Sequence, residues 1–226
     1  MINFVFMLTH NDRTVPDAAD VLNSLAGSGL RHVGFKDVGV SPAVIRALTD
    51  QAHELGMTVM LEVVSTSRED ELASLHAAVA GGVDWVLGGT HGDAGAALFR
   101  GTGLRYCPFP GTVVGHPSVL RGTIEEIAAD AARLTALDGV HGVDLLTYRH
   151  ADADPHGLTA AVTAASGGPV IVAGSITGAA QIALMSRAGA WGFTIGGAIF
   201  EGKLPGGPSI ADQVRTVLDF SAMVDA

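Results

Sequence analysis

The sequence predicts an α/β fold, a single (β/α)8 TIM barrel spanning residues 1–226. Three observations carry this. Eight short apolar runs alternate strictly with eight longer, alanine-rich amphipathic stretches, and strands that alternate with helices pair in parallel. The runs are almost continuously apolar, the pattern of strands buried on both faces. The turn after the first run, "THNDRTVPD", contains no glycine, whereas an open doubly wound sheet carries a glycine-rich turn there.

The first run, "INFVFML" (2–8), precedes a helical stretch near 17–28. "HVGFK" (32–36) leads to a helix near 43–55, announced by Ser41-Pro42 as cap and first helical residue. "TVMLEVV" (58–64) follows the helix-ending glycine of "GMTV" and leads to a helix near 67–80 with a start signal from Thr66 to Glu69. "DWVLGG" (84–89) precedes a short helix near 93–99, and "RYCPF" (105–109) precedes one near 123–136 that opens on Thr123 and Glu126. "VDLLTY" (143–148), "PVIVAG" (169–174) and "GFTIGG" (192–197) complete the strands, with helices near 156–166, 178–188 and 209–222. No linker or low-complexity tract interrupts the series.

Composition narrows the function. The chain is 48% hydrophobic and 16% charged with a formal net charge of −10, a well-cored globular balance. An acidic chain with no Lys/Arg cluster makes a poor nucleic-acid or anionic-membrane partner. Cys107 is the only cysteine, so no internal disulfide forms, which fits a reducing compartment. The amino-terminal apolar run is about seven residues long, too short for a signal peptide or a membrane span. The expectation is a cytoplasmic protein, and a homo-oligomer is compatible with it.

A barrel keeps its active site at the carboxyl ends of its strands, so the polar residues just past each run become candidates. These are Thr9, His10, Asn11 and Asp12, then Lys36 and Asp37, then Glu62 with Ser65 and Thr66. Thr90, His91 and Asp93 follow the fourth run, and His116 lies in the long fifth connection. Tyr148, Arg149 and His150 end the sixth, and Ser175 and Thr177 follow the seventh. The seventh and eighth runs end in "AGSITG" and "IGGAIFEGK". Glycines let backbone N–H groups approach an anion, and a helix N-terminus adds oriented donors. Gly174, Ser175, Gly196 and Gly197 are therefore expected to cradle a phosphate, at the place where barrels commonly hold one.

The tail "VAGSITGAAQIALMSRAGAWGFTIGGAIFEGKL" resembles the carboxyl-terminal quarter of the phosphosugar-binding barrels of histidine biosynthesis, the isomerase and cyclase pair. Those barrels belong to the ribulose-phosphate-binding group. The resemblance implies phosphosugar chemistry. In those barrels a second phosphate site, at strands 3 and 4, arises because the two halves are repeats. Here "LGGT" (87–90) echoes "IGGA" (195–198). The same resemblance implies catalytic aspartates after strands 1 and 5. Asp12 comes late for the first, and "PFPGTVVGH" contains none for the second.

The reacting end is expected at Lys36 and Glu62. Lysine occurs only twice, at 36 and 203, and Glu62 stands alone inside an apolar run. The two belong to consecutive strands, which lie about 5 Å apart when paired. They are an acid/base or Schiff-base pair, or else a buried ion pair that closes the barrel top. Asp37, next in sequence, points to the other face. His91 is a candidate proton shuttle. His10, Asn11, Thr90, His116, Tyr148 and Arg149 are candidate substrate contacts, the arginine for an anionic group. No His-x-His or His-x-Asp pair sits at a strand end, so neither a metal nor a cofactor is expected. The expected function is a sugar-phosphate or phosphorylated sugar-acid isomerase or epimerase that moves a proton beside a carbonyl. A Schiff-base aldolase or lyase through Lys36 is the alternative, and a non-catalytic phosphometabolite-binding regulator is the second.

Overall fold

The computed structural model describes residues 2–224. Eight parallel strands form one sheet: β1 (Asn3–Met7), β2 (His32–Lys36), β3 (Thr58–Val63), β4 (Trp85–Gly88), β5 (Arg105–Cys107), β6 (Val143–Leu145), β7 (Val170–Val172) and β8 (Gly192–Ile195). Their spatial order is β6-β7-β8-β1-β2-β3-β4-β5, so the sheet rolls until β5 meets β6. No regular ladder forms at that seam, because β5 runs into Pro108 and Pro110, which have no N–H to give. Two backbone bonds bridge it instead. The Tyr106 carbonyl accepts from the His141 N–H at 2.8 Å, and the Pro108 carbonyl accepts from the Asp144 N–H at 3.0 Å.

The helices are α1 (Ala18–Ser24), α2 (Pro42–Glu54), α3 (Arg68–Gly81), α4 (Gly92–Phe99), α5 (Ile124–Thr135), α6 (Pro155–Ala165), α7 (Ala179–Arg187), the single turn α8 (Gly197–Phe200) and α9 (Ile210–Met223). Local chemistry sets their starts. Ser41 caps α2 ahead of Pro42, and Thr123 and Glu126 close a reciprocal capping box on α5. The α3 cap is Ser67, which accepts from the Asp70 N–H, one residue later than Thr66. Among the described residues no helix is long and apolar enough to cross a membrane.

Val5, Met7, Met60, Leu87, Cys107 and Ile171 pack inside the barrel, apart from the larger core between strands and helices. Met7 fills the space opposite Gly34, where its sulfur lies 2.5 Å from the position of a Cβ. The sixth run stops being strand at Leu145 and turns into a 3-10 helix, Thr147–Arg149. Two connections are ordered where the sequence suggests plain loops. A two-stranded hairpin (Thr9–His10 with Arg13–Thr14) follows β1, and another (Thr112–Val114 with Val119–Arg121) follows β5.

Candidate active site

Lys36 and Glu62 are direct register partners on β2 and β3. Both side chains turn into the barrel mouth, with Lys36 Nζ 3.7 Å from Glu62 Oε1. They are 4% and 3% exposed, so each needs a partner to stay charged. Strand alternation sends Asp37 to the outside, where it accepts from the Val64 N–H at 2.9 Å and the Ser74 hydroxyl at 2.8 Å. It is a clip between strands and α3.

A third charged group is Asp12, which the sequence placed after the first strand without giving it a role. Asn11 and Asp12 are the two turn residues of the first hairpin, with φ of 50° and 58°. Two consecutive positive φ values make the tight turn that matches strand twist, and Asn and Asp are the non-glycine residues that tolerate it. The hairpin is stitched to β2 by Thr14, whose hydroxyl donates to the Lys36 carbonyl at 2.7 Å and accepts from the Lys36 N–H at 2.9 Å. Asp12 is thereby held over the mouth. It accepts a short hydrogen bond from Lys36 Nζ and both prongs of the Arg149 fork, at 2.9 and 3.0 Å. Burial alone would raise the Asp12 carboxyl, but Arg149 and Lys36 outweigh it and hold the group well below the usual carboxylate range.

Asp144 on β6 is a fourth. It is fully buried, and neither carboxyl oxygen has a hydrogen-bond partner among the described residues. Burial, with the Glu62 charge added, pushes it well above the usual range. The signal was present in "VDLL": a lone acid in an apolar run, the same cue that marks Glu62.

Lys36, Glu62 and Asp12 form the floor of a cavity of about 790 Å³, which Asp144 does not line. Its walls include Asn11, Asp12, Pro117, Ser118, Tyr148, Arg149, Gly174, Ser175, Gly196, Gly197 and Lys203. The Arg149 side chain lies across Gly174, where a Cβ would stand 2.5 Å from Nε, and Gly174 has φ +81°. Space and backbone both exclude a side chain there. Among the described residues the amides of Gly174, Ser175, Gly196 and Gly197 donate no hydrogen bond. The Tyr148 hydroxyl is buried and also unpartnered.

Four residues singled out from the sequence do not line this cavity: His10, Thr90, His91 and His116. His10 sits at the outer rim against Phe200 and reaches Glu201 at 3.4 Å. His116 is exposed at the tip of the second hairpin, although its neighbours Pro117 and Ser118 reach the wall. Thr90 and His91 are drawn behind β4 by Glu71 of α3. Its buried carboxylate accepts from both backbone N–H groups at 2.9 Å, from the Thr90 hydroxyl at 3.0 Å, and bonds His91 Nδ1 at 2.8 Å. Within "LGGT", which echoes the strand-8 motif, the Thr90 amide is thus taken up by Glu71 and the Gly89 amide by the Val63 carbonyl at 2.9 Å. Among the described residues no group of three or more His, Cys, Asp or Glu side chains is arranged to hold a metal ion.

The fold and site define a (β/α)8 barrel protein with a charged cavity at the carboxyl-terminal ends of its strands. No family model matches the chain, and no curated protein matches it. Solved structures do. The chain is similar to orotidine 5'-phosphate decarboxylase from Pyrococcus horikoshii, with a TM-score of 0.66 and 14% identity over 97% of this chain and 99% of that one. It is similar to phosphoribosylanthranilate isomerase from Thermotoga maritima, with a TM-score of 0.63 and 13% identity over 99% and 100%. It is also similar to N-acetylmannosamine-6-phosphate 2-epimerase from Clostridium perfringens, with a TM-score of 0.61 and 11% identity over 98% and 93%. At these identities the likeness establishes the barrel fold.

Proposed function

We propose that this protein is an enzyme of small phosphorylated sugars or sugar acids, an isomerase or epimerase that moves a proton on the carbon beside a carbonyl. The observation that carries the reading is the buried Lys36–Glu62 pair, 3.7 Å apart, on the floor of a cavity whose wall offers four unspent amides after β7 and β8. The amides of Gly174, Ser175, Gly196 and Gly197 hold the phosphate. Glu62 takes the C–H proton, leaving an enediolate whose oxygen is stabilised by the Lys36 ammonium; isomerisation is completed when Glu62 returns the proton to the adjacent carbon and Lys36 passes a proton from one oxygen to the other, and epimerisation when the same carbon is reprotonated from its opposite face. Asn11 and the Tyr148 hydroxyl bind substrate oxygens. The three neighbouring folds named above include an isomerase and an epimerase of phosphorylated compounds, which supports the class. A Schiff base would need a neutral lysine, and Lys36 sits between the Asp12 and Glu62 carboxylates, which favours the ammonium.

The test is deuterium exchange. The protein is incubated in D2O with ribulose 5-phosphate, fructose 6-phosphate and N-acetylmannosamine 6-phosphate, and wash-in beside the carbonyl is followed by proton NMR. Exchange is expected with at least one probe. Glu62→Gln should slow it by about 10²–10⁴ while inorganic phosphate still binds. Undiminished exchange in Glu62→Gln would overturn the assignment of the base. Phosphate binding with no exchange on any probe would favour the regulator.

A further inference from the structure

The mouth of the barrel holds three cations, and each is already neutralised by the protein. Lys36 bonds Asp12 and faces Glu62, Arg149 gives both prongs of its fork to Asp12, and Lys203 pairs with Glu201 at 2.5 Å. Of these, Asp12, Lys36 and Glu62 are the buried ones, with side chains 8%, 5% and 5% exposed. Among the described residues no unpaired positive charge is left at the reacting end. A second anionic group on a substrate would be buried against Asp12 and Glu62 with nothing to balance it, and like charges placed so cost several kcal/mol. The groups left to bind substrate there are neutral: the Tyr148 hydroxyl without a partner, the Asn11 amide and Thr194.

Asp12 is also not free to step aside. Its turn is fixed by two left-handed residues and by the Thr14 bonds to β2. It is aimed at the two cations that an incoming carboxylate would use. We propose that Asp12 is a specificity-determining residue that bars a second anion from the reacting end, so that the phosphate is the only charged group of the substrate. This rests on the phosphate reading above and narrows it. The substrate class becomes the aldose or ketose monophosphates, and the aldonic-acid phosphates and bisphosphates are excluded.

The experiment is calorimetric titration of the wild-type protein with inorganic phosphate and with matched aldose and aldonate phosphates of four, five and six carbons. Glucose 6-phosphate and 6-phosphogluconate form the six-carbon pair. The aldose is expected to bind at least about tenfold more tightly than its aldonate, as one rejected charge implies. In Asp12→Asn, which frees both cations and suits a left-handed φ, the preference should fall below about threefold because the aldonate gains. Should that variant not fold, Asp12→Gly carries the same comparison. An aldonate that binds the wild type as well as its aldose overturns the proposal, as does a preference that survives removal of the carboxylate. So does phosphate binding with no gain from any aldose. Failure of inorganic phosphate to bind would instead overturn the phosphate reading.

Discussion

Glu71 makes the sharpest prediction about what holds the β4 end together. It is fully buried on α3, yet it reaches past β4 and receives four hydrogen bonds from Thr90 and His91, at 2.8 to 3.0 Å. Truncation in Glu71→Ala removes all four, and hydrogen bonds to a charged group are worth about 1.5–3 kcal/mol each before compensation. Compensation is substantial, because Thr90 is exposed and His91 half-buried, so water reaches the freed donors. Removing one member of a buried charged pair costs about 3–5 kcal/mol, and we expect about 4 kcal/mol here. For a chain of this length each kcal/mol moves Tm by about 2–4 °C, so the loss should be about 8–16 °C. Glu71→Gln keeps an acceptor for only one of the two amides, because they bond different carboxylate oxygens, and should lose at least about half as much. Urea unfolding is the assay, with the m-value required to stay constant so that the midpoint reports stability. A Glu71→Ala protein within about 1 kcal/mol of wild type would refute the reasoning and show the loop held by packing alone.

Two further predictions concern the cradle and the acids. A Cβ at Gly197 meets nothing within 4 Å, so Gly197→Ala should fold and keep inorganic phosphate binding. Gly197→Asp puts a carboxylate at the same place and should weaken phosphate at least about tenfold by calorimetry. The pH dependence of unfolding has a worked sign. Asp12 and Glu71 are both held below their ordinary range, Glu71 because the bonds from His91 and Thr90 outweigh the upward push of burial. Their stabilisation is complete above the unfolded carboxyl range near pH 4 and is lost as pH falls through their folded values. Asp144 is raised, so it costs stability at neutral pH, and that cost vanishes below about pH 4. Asp144→Asn should therefore gain on wild type at pH 7 and lose that advantage by pH 3.5 in urea titrations, and an advantage that does not change with pH would contradict an Asp144 carboxyl raised by burial.

The sequence made the barrel legible because strand and helix periods differ and every unit repeats the same order of signals. β2 falls at 32–36, where the apolar run put it, and Thr123 with Glu126 marked the start of α5. Lys36 and Glu62 stood out as charges in apolar runs. Asp144 carried the same cue and was passed over for the polar residues behind it. His91 was misplaced for a different reason. Position after a strand says which end of the barrel a residue occupies but not whether a helix side chain claims it first, and Glu71 lies nineteen residues upstream of Thr90. Asp12 stood among the candidates, but its pairing with Lys36 and Arg149 was not legible in "THNDRT" read as a plain turn. Asn-Asp between short polar flanks is also the signal of a two-residue turn with φ above zero, and that turn decides where the carboxylate points.

The two hairpins matter more to the site than their length suggests. The barrel strands alone bring an ammonium and two carboxyls into one buried layer, Lys36, Glu62 and Asp144. Arg149, on the turn after β6, adds a second cation. The first hairpin adds the Asp12 carboxylate that binds both cations, and the second supplies the Ser118 carbonyl that takes a further bond from Arg149 at 3.4 Å. Lys36 and Arg149 are then matched by the Asp12 and Glu62 carboxylates, with the Asp144 carboxyl raised by burial beside them, a pairing that a water-poor mouth requires of its charges.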